Sequence, residues 1–203
     1  TSVGGANFTL LSEPSSITEY VEVAPFSDEY APISGIPIAS CATAYTCPNT
    51  GEVFILVFHQ MLYFGDHLKH SLICPNQLRH AGHSVQDCPR QFDISSSHGI
   101  TFTSNNDDTL FIPLEMEGVI SVFYTRKPTT SELHTCKFFI ATSDHPWDPH
   151  SSQFADTEKT YNRGDSSHVR GLSATESQER GLSIAGHTSR GLTPWEPNPH
   201  RYH

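Results

Sequence analysis

Six consecutive apolar residues, Val53-Phe54-Ile55-Leu56-Val57-Phe58, follow the turn signal Pro48-Asn49-Thr50-Gly51 and a single Glu52. No polar residue alternates with the apolar ones. A strand here must therefore be buried on both faces or lie inside a sandwich core. Proline presets φ on entry to the turn and glycine accepts the positive φ that closes it. Such a strand needs apolar neighbours on two sides, and their supply is uneven. Val, Ile, Leu and Phe cluster up to Ala141, whereas the positions after it are mostly polar. With 203 residues, 36% hydrophobic and a mean hydropathy of -0.37, a core is expected in the first two thirds. In the remainder conformational entropy wins, so residues 143–203 are expected to be a disordered tail.

The rest of the first two thirds reads as short strands divided by Pro, Gly and Asp. Phe8–Leu11, Tyr20–Val23, Ile38–Tyr45, Met61–Phe64, Ser71–Ile73, Ser84–Gln86 and Ile100–Thr103 are strand candidates. Pro25–Pro37 reads as a loop because its three prolines break any repeat. Leu110–Leu114 and Val119–Tyr124, separated by Glu115–Gly118, read as a hairpin, and Phe138–Ile140 as the last strand. Pro75–His80 reads as a short helix, with Pro75 in its first turn, Leu78 facing the core and Gly82 ending it. Thr129 and Glu132 have the spacing of a capping box. In the tail, Arg170-Gly171-Leu172-Ser173 recurs as Arg180-Gly181-Leu182-Ser183 and Arg190-Gly191-Leu192-Thr193. Each copy would bury one Leu, too little for a solenoid.

Charge and cysteine content exclude several classes. The net charge of -10 repels phosphate backbones, and Lys and Arg gather nowhere into a patch, so no direct nucleic-acid contact is expected. No apolar run is long enough to cross a bilayer, so no membrane partner is expected either. The start lacks both a secretory signal and an initiator Met, which reads as a fragment of a longer chain. Five cysteines in irregular spacing (Cys41, Cys47, Cys74, Cys88, Cys136) suit a reducing, cytoplasmic setting.

The segment from Val53 to Gln86 resembles the protease region of copia-type retroelement polyproteins. The features are Met61-Leu62-Tyr63, the polar turn Asp66–His70, Ser71-Leu72-Ile73, Asn76-Gln77-Leu78, Gly82 and Val85. A branch found in algae and lower fungi is most similar, through Phe26–Tyr30, Gly51-Glu52, Pro75–Arg79, Thr125–Thr129 and Trp147–His150. The resemblance covers residues 1–155 and implies an all-β fold. That fold would be a small retropepsin-like barrel over residues 1–88, an additional β-hairpin region over 89–142, and the tail. It makes Leu72, Ile73, Asn76, Gln77, Leu78 and Gly82 the structural family motif. Cys41, Thr43 and Tyr45 become candidates for the substrate flap. It also implies a homodimer through a retropepsin-like interface, acting on peptide segments of the parent polyprotein inside the cell or in retroelement particles.

Aspartic proteases need two carboxylates close enough to share a proton. Thr1, Val3 and Gly5 resemble the residues that follow the family's catalytic motif, which places its aspartate upstream of residue 1. No catalytic residue is therefore assigned, and inactivity is expected. Asp28, Asp66, Asp87, Asp107, Asp108, Glu115 and Glu117 read as surface charge. His67, His70 and Cys74, and His80, His83 and Cys88, have spacings that zinc accepts, but His67 and His70 fall in a turn while Cys74 follows a strand, so no rigid arrangement is apparent and neither metal nor cofactor is expected. No Gly-x-Ser-x-Gly elbow is present. The alternative is a degenerate element remnant, or a structural or binding β domain with no peptidase activity in use.

Overall fold

The computed structural model describes residues 4–24, 27, 29–148, 151–152 and 156–159. Phe26, Asp28, Pro149, His150 and the ten-residue tail repeat lie outside the described residues. Among the described residues up to Ile140 there are eleven strands and two α-helices: β1 (Gly5–Ala6), β2 (Thr9–Leu10), β3 (Tyr20–Val23), β4 (Ile33–Thr46), β5 (Val53–Tyr63), α1 (Pro75–His80), β6 (Ser84–Gln86), β7 (Gly99–Thr103), β8 (Thr109–Pro113), β9 (Glu115–Glu117), β10 (Ile120–Val122), α2 (Thr130–Thr135) and β11 (Lys137–Ile140).

The apolar run forms the start of β5, and the Pro48–Gly51 turn joins it to β4. Gly51 has φ +72°, and the turn is closed from Cys47 N–H to Glu52 O and from Gly51 N–H to Cys47 O, both 2.8 Å. β4 and β5 pair antiparallel from Ile38↔Leu62 to Thr46↔Val53. β1 and β11 both add to the far edge of β5, each parallel to it. β2 and β3 add antiparallel to β4. A second sheet is ordered β6-β7-β8, and β9 and β10 form a hairpin of their own.

Sheets on this plan do not close. β5 carries β1 and β11 on one edge, β4 carries β2 and β3 on the other, and the two edges never meet. The fold is mixed α/β with open sheets, which corrects the expectation of an all-β closed barrel. Local pattern could not reveal this. Closure depends on which strand meets which edge, and an apolar period of two specifies only the buried face.

β5 is buried on both faces, as its unbroken apolar run requires. On one face Leu56 and Phe58 join Cys41, Tyr45, Met61, Leu78, Ile100, Phe102, Ile112 and Phe139 in the main core. Strands from both sides of Cys88 thus contribute to a single cluster. On the other face Ala42, Ala44 and Ile55 pack against Leu133 and Cys136, which bring α2 down onto the sheet. Small residues on β4 admit the helix closely.

α2 is held by the predicted capping box. Thr129 Oγ1 accepts from Glu132 N–H at 3.2 Å and Glu132 Oε2 accepts from Thr129 N–H at 2.8 Å. The Arg126 guanidinium donates to both oxygens of the Glu132 carboxylate, at 2.8 and 2.6 Å. That pairing, then the Thr129 N–H, holds the Glu132 carboxyl down to about 2. Arg126 also exchanges backbone hydrogen bonds with Ala44, so one residue ties the cap to β4. Thr129→Ala is expected to cost about 1 kcal/mol, read as a fall of about 2–4 °C in thermal midpoint. No fall at all would mean the box contributes nothing to docking α2.

Two further expectations shift. β4 begins at Ile33, inside the segment read as a loop. This end of β4 lies beyond the reach of β5, whose pairing starts at Ile38, and an edge segment tolerates the missing N–H of Pro37. The hairpin expected between Leu110–Leu114 and Val119–Tyr124 is two hairpins. β8 turns back on β7 through Ser104–Asp108, while β9 and β10 close on the two-residue connection Gly118-Val119. Gly118 has φ +65°, the backbone state that tight hairpin turns demand.

The β4–β5 ladder carries one irregularity. Ala39 pairs with Met61 and Cys41 with Phe58, so Ser40 alone faces His59 and Gln60. Gln60 has φ +55°, as the extra residue of a bulge can require. Thr142 seals the outer edge here: its Oγ1 accepts from His59 N–H at 2.7 Å and donates to His59 O at 2.8 Å.

Candidate functional site

The segment from Cys88 to His98 has no regular structure but is held by its own hydrogen bonds. Phe92 N–H and Asp93 N–H donate to Pro89 O, at 2.9 and 3.2 Å. Ser95 donates to Asp93 Oδ1 from its hydroxyl (2.6 Å) and its N–H (2.9 Å). These contacts, the hydroxyl first, hold the Asp93 carboxyl below its ordinary range. Buried Ser96 donates to Cys88 O at 2.7 Å, and Arg90 donates to Ser97 O at 3.0 Å, which ties the two ends together. Compact loops of this kind sit on the surface and often carry function.

This loop presents apolar side chains outward. Phe92 is 76% exposed and Ile94 is 94% exposed, and on the neighbouring hairpin Val119 is 94% exposed. Beside the loop runs an open groove of about 380 Å³ lined by Arg90, His98, Pro113, Leu114 and Met116, among others. His98 is buried at its base with φ +46°, and its Nε2 lies 2.9 Å from Ser121 Oγ. Leu114 N–H donates to His98 O at 2.9 Å, which fixes the groove floor to β8. The outer edge of β8 pairs with no strand among the described residues. Glu115 and Glu117 flank Met116 on β9 and are exposed.

The residues singled out by resemblance lie elsewhere. Cys41, Thr43 and Tyr45 stand on β4 and are buried. Burial pushes the Cys41 thiol up to about 12, and Thr43 Oγ1 donates to Arg126 O at 3.0 Å. Leu72 is exposed and makes a single bridge to Gly5, while Ile73 packs on the core edge. Asn76, Gln77 and Leu78 share α1. Asn76 is exposed and accepts from Arg79 at 2.9 Å, whereas Gln77 and Leu78 are buried. Gly82 follows α1 at φ +91°. The structure brings Leu78, Cys41 and Tyr45 into the same core, while Thr43 turns to the backbone of Arg126.

Of the carboxylates weighed for proteolysis, Asp66 pairs with Lys127 (3.2 Å), Asp87 with Arg79 (2.8 Å) and Asp108 with Lys137 (2.7 Å). These are surface pairs of small energetic weight. Among the described residues no three His, Cys, Asp or Glu side chains are placed to hold a metal ion. His83 instead lies between Ile140 O and Thr103 N–H. No helix among the described residues is long and apolar enough to cross a membrane. The groove is not expected from sequence pattern, although exposed Phe92 and Ile94 stand as isolated apolar residues in a polar segment, which is a legible signal. No family model, curated protein or solved structure matches this chain.

Proposed function

We propose that this chain is a binding domain that holds an extended peptide segment of a partner protein in the groove beside the Cys88–His98 loop. The observation that carries the reading is a hydrogen-bonded loop that spends its order on exposing Phe92 and Ile94 next to a cavity. Solvent-exposed apolar side chains on an ordered loop cost solubility unless a partner covers them. An extended segment could pair its backbone with the open edge of β8 while one apolar side chain enters the groove.

Charge selects the partner. Exposed Glu115 and Glu117 flank Met116, which lines the groove, and the chain carries -10 overall. A segment with an apolar anchor flanked by Lys or Arg is complementary. A second copy of the chain, as a retropepsin-like dimer would supply, meets like charge. A peptide partner is common to this reading and to the retroelement one, but proteolysis needs paired carboxylates, and three of those weighed for it, Asp66, Asp87 and Asp108, are engaged with surface bases.

The test is fluorescence anisotropy with two labelled peptide libraries, one with Lys or Arg around an aromatic or aliphatic position and one with Glu there. Binding is expected from the basic library, weakening as salt rises. Phe92→Ala should weaken it about tenfold or more, as loss of an interface anchor does. Equal binding of both libraries, or indifference to Phe92→Ala, would sink the proposal.

A further inference from the structure

A second concave site lies at the bulge in the β4–β5 ladder, away from the groove. Because one residue of β4 faces two of β5, Ser40 and His59 are brought side to side, with Ser40 Oγ 2.7 Å from His59 Nδ1. Ser40 and Gln60 line an open cavity of about 160 Å³, whose other walls include Ser12, Ser16, Thr18 and Glu19. Gln60 Nε2 donates to Asp144 O at 3.2 Å, whereas the buried Gln60 Oε1 has no partner among the described residues. The Asp144 carboxylate acts on the His59 ring through space, in the direction that favours a protonated ring.

The geometry points to Ser40 as an acylatable nucleophile with His59 as its general base, acting on small carboxylic esters that fit the cavity. With its proton on Nε2, His59 accepts at Nδ1 from the Ser40 hydroxyl. Ser40 Oγ attacks the ester carbonyl carbon and its proton passes to Nδ1. The alcohol leaves, taking that proton, as the bond to the carbonyl carbon breaks. Water then attacks the acyl-serine, giving its proton to His59, and the Ser40 oxygen leaves and is reprotonated from Nδ1. The net reaction is ester plus water to acid plus alcohol, with no other reactant. The nucleophile and base stand within hydrogen-bond reach, as this chemistry requires. Thr142 holds the His59 backbone from both sides, so the ring is carried on a fixed strand.

The full chain, incubated with a fluorophosphonate and mapped by mass spectrometry, tests this. Ser40 Oγ should form a bond to phosphorus with loss of fluoride, the hydroxyl proton passing to His59. The adduct is expected on Ser40 in preference to Ser12, Ser16 and the other hydroxyls. Its rate should fall about 100-fold or more in His59→Ala, the scale of general-base assistance. In the unaltered chain the rate should rise with pH as His59 loses its proton. Burial sets that midpoint below the ordinary imidazole value, although Asp144 opposes the shift. The pH profile needs no variant, so a misfolded His59→Ala leaves the test intact. No adduct on Ser40, or a rate on Ser40 that keeps the slope of an unassisted alcohol across the imidazole range, overturns the assignment.

Discussion

Phe58→Ala is expected to lower the free energy of unfolding by about 3–5 kcal/mol, the range for deleting a buried aromatic ring. Phe58 is fully buried at the middle of β5, and its ring lies 5.3 Å from that of Phe8, next to β2. The same cluster draws in Phe102 and Ile112 from the second sheet. Truncation would therefore open a cavity where the two sheets meet, with little freedom to collapse. Domains of this kind hold about 5–15 kcal/mol in total, so the variant should be visibly less cooperative in urea. Phe58→Leu, which keeps most of the volume, should lose much less. A loss below about 1 kcal/mol for the alanine variant would mean the sheets do not pack across this ring.

His83→Ala is expected to be the second large loss. Buried His83 lies against Phe102, with ring centres 5.2 Å apart. Its Nδ1 accepts from Thr103 N–H at 3.2 Å, and an N–H donor cannot share that nitrogen with a second proton. Nε2 therefore carries the hydrogen and donates to Ile140 O at 3.0 Å. One imidazole thus joins β7 to β11. Removing it strands both backbone groups, at about 1–3 kcal/mol, in addition to the lost ring packing.

Protonation does the same by another route. Burial lowers the His83 pKa below 6.5, against the opposing effect of the Ile140 and Ala141 carbonyls. The folded chain then binds fewer protons than the unfolded chain as pH falls through 6.5. The contribution of neutral His83 is whole above 6.5 and declines as pH drops toward its folded value, by at most about 1.4 kcal/mol per pH unit. Urea midpoints measured at falling pH should show this decline in the unaltered chain and a weaker one in His83→Ala. Identical profiles would show that His83 stays neutral or charged in both states alike. His59 is also lowered by burial, and for the same reason it adds to the decline that remains.

What was legible in the chain was local. The turn at Pro48–Gly51, the helix Pro75–His80 with Leu78 inward, and the box of Thr129 and Glu132 each depend on residues a few positions apart. Such contacts form wherever the segment ends up. The run Val53–Phe58 announced burial on both faces for a similar reason: alternation, or its absence, is a property of the strand alone.

What only the tertiary structure decided was which strands meet. β1 and β11, the first and last of the described strands, join β5 in parallel, and β8 chooses β7 over β10, though each pairing would satisfy the same backbone groups. Apolar pattern assigns a face but not a neighbour, so an expectation of closure had nothing local to correct it. The two concave sites have the same origin. Ser40 and His59 meet because one strand carries an extra residue opposite the other, and the groove exists because the Cys88–His98 loop folds beside β8 and β9. Both are distances between residues remote along the chain, and only the packed core sets them.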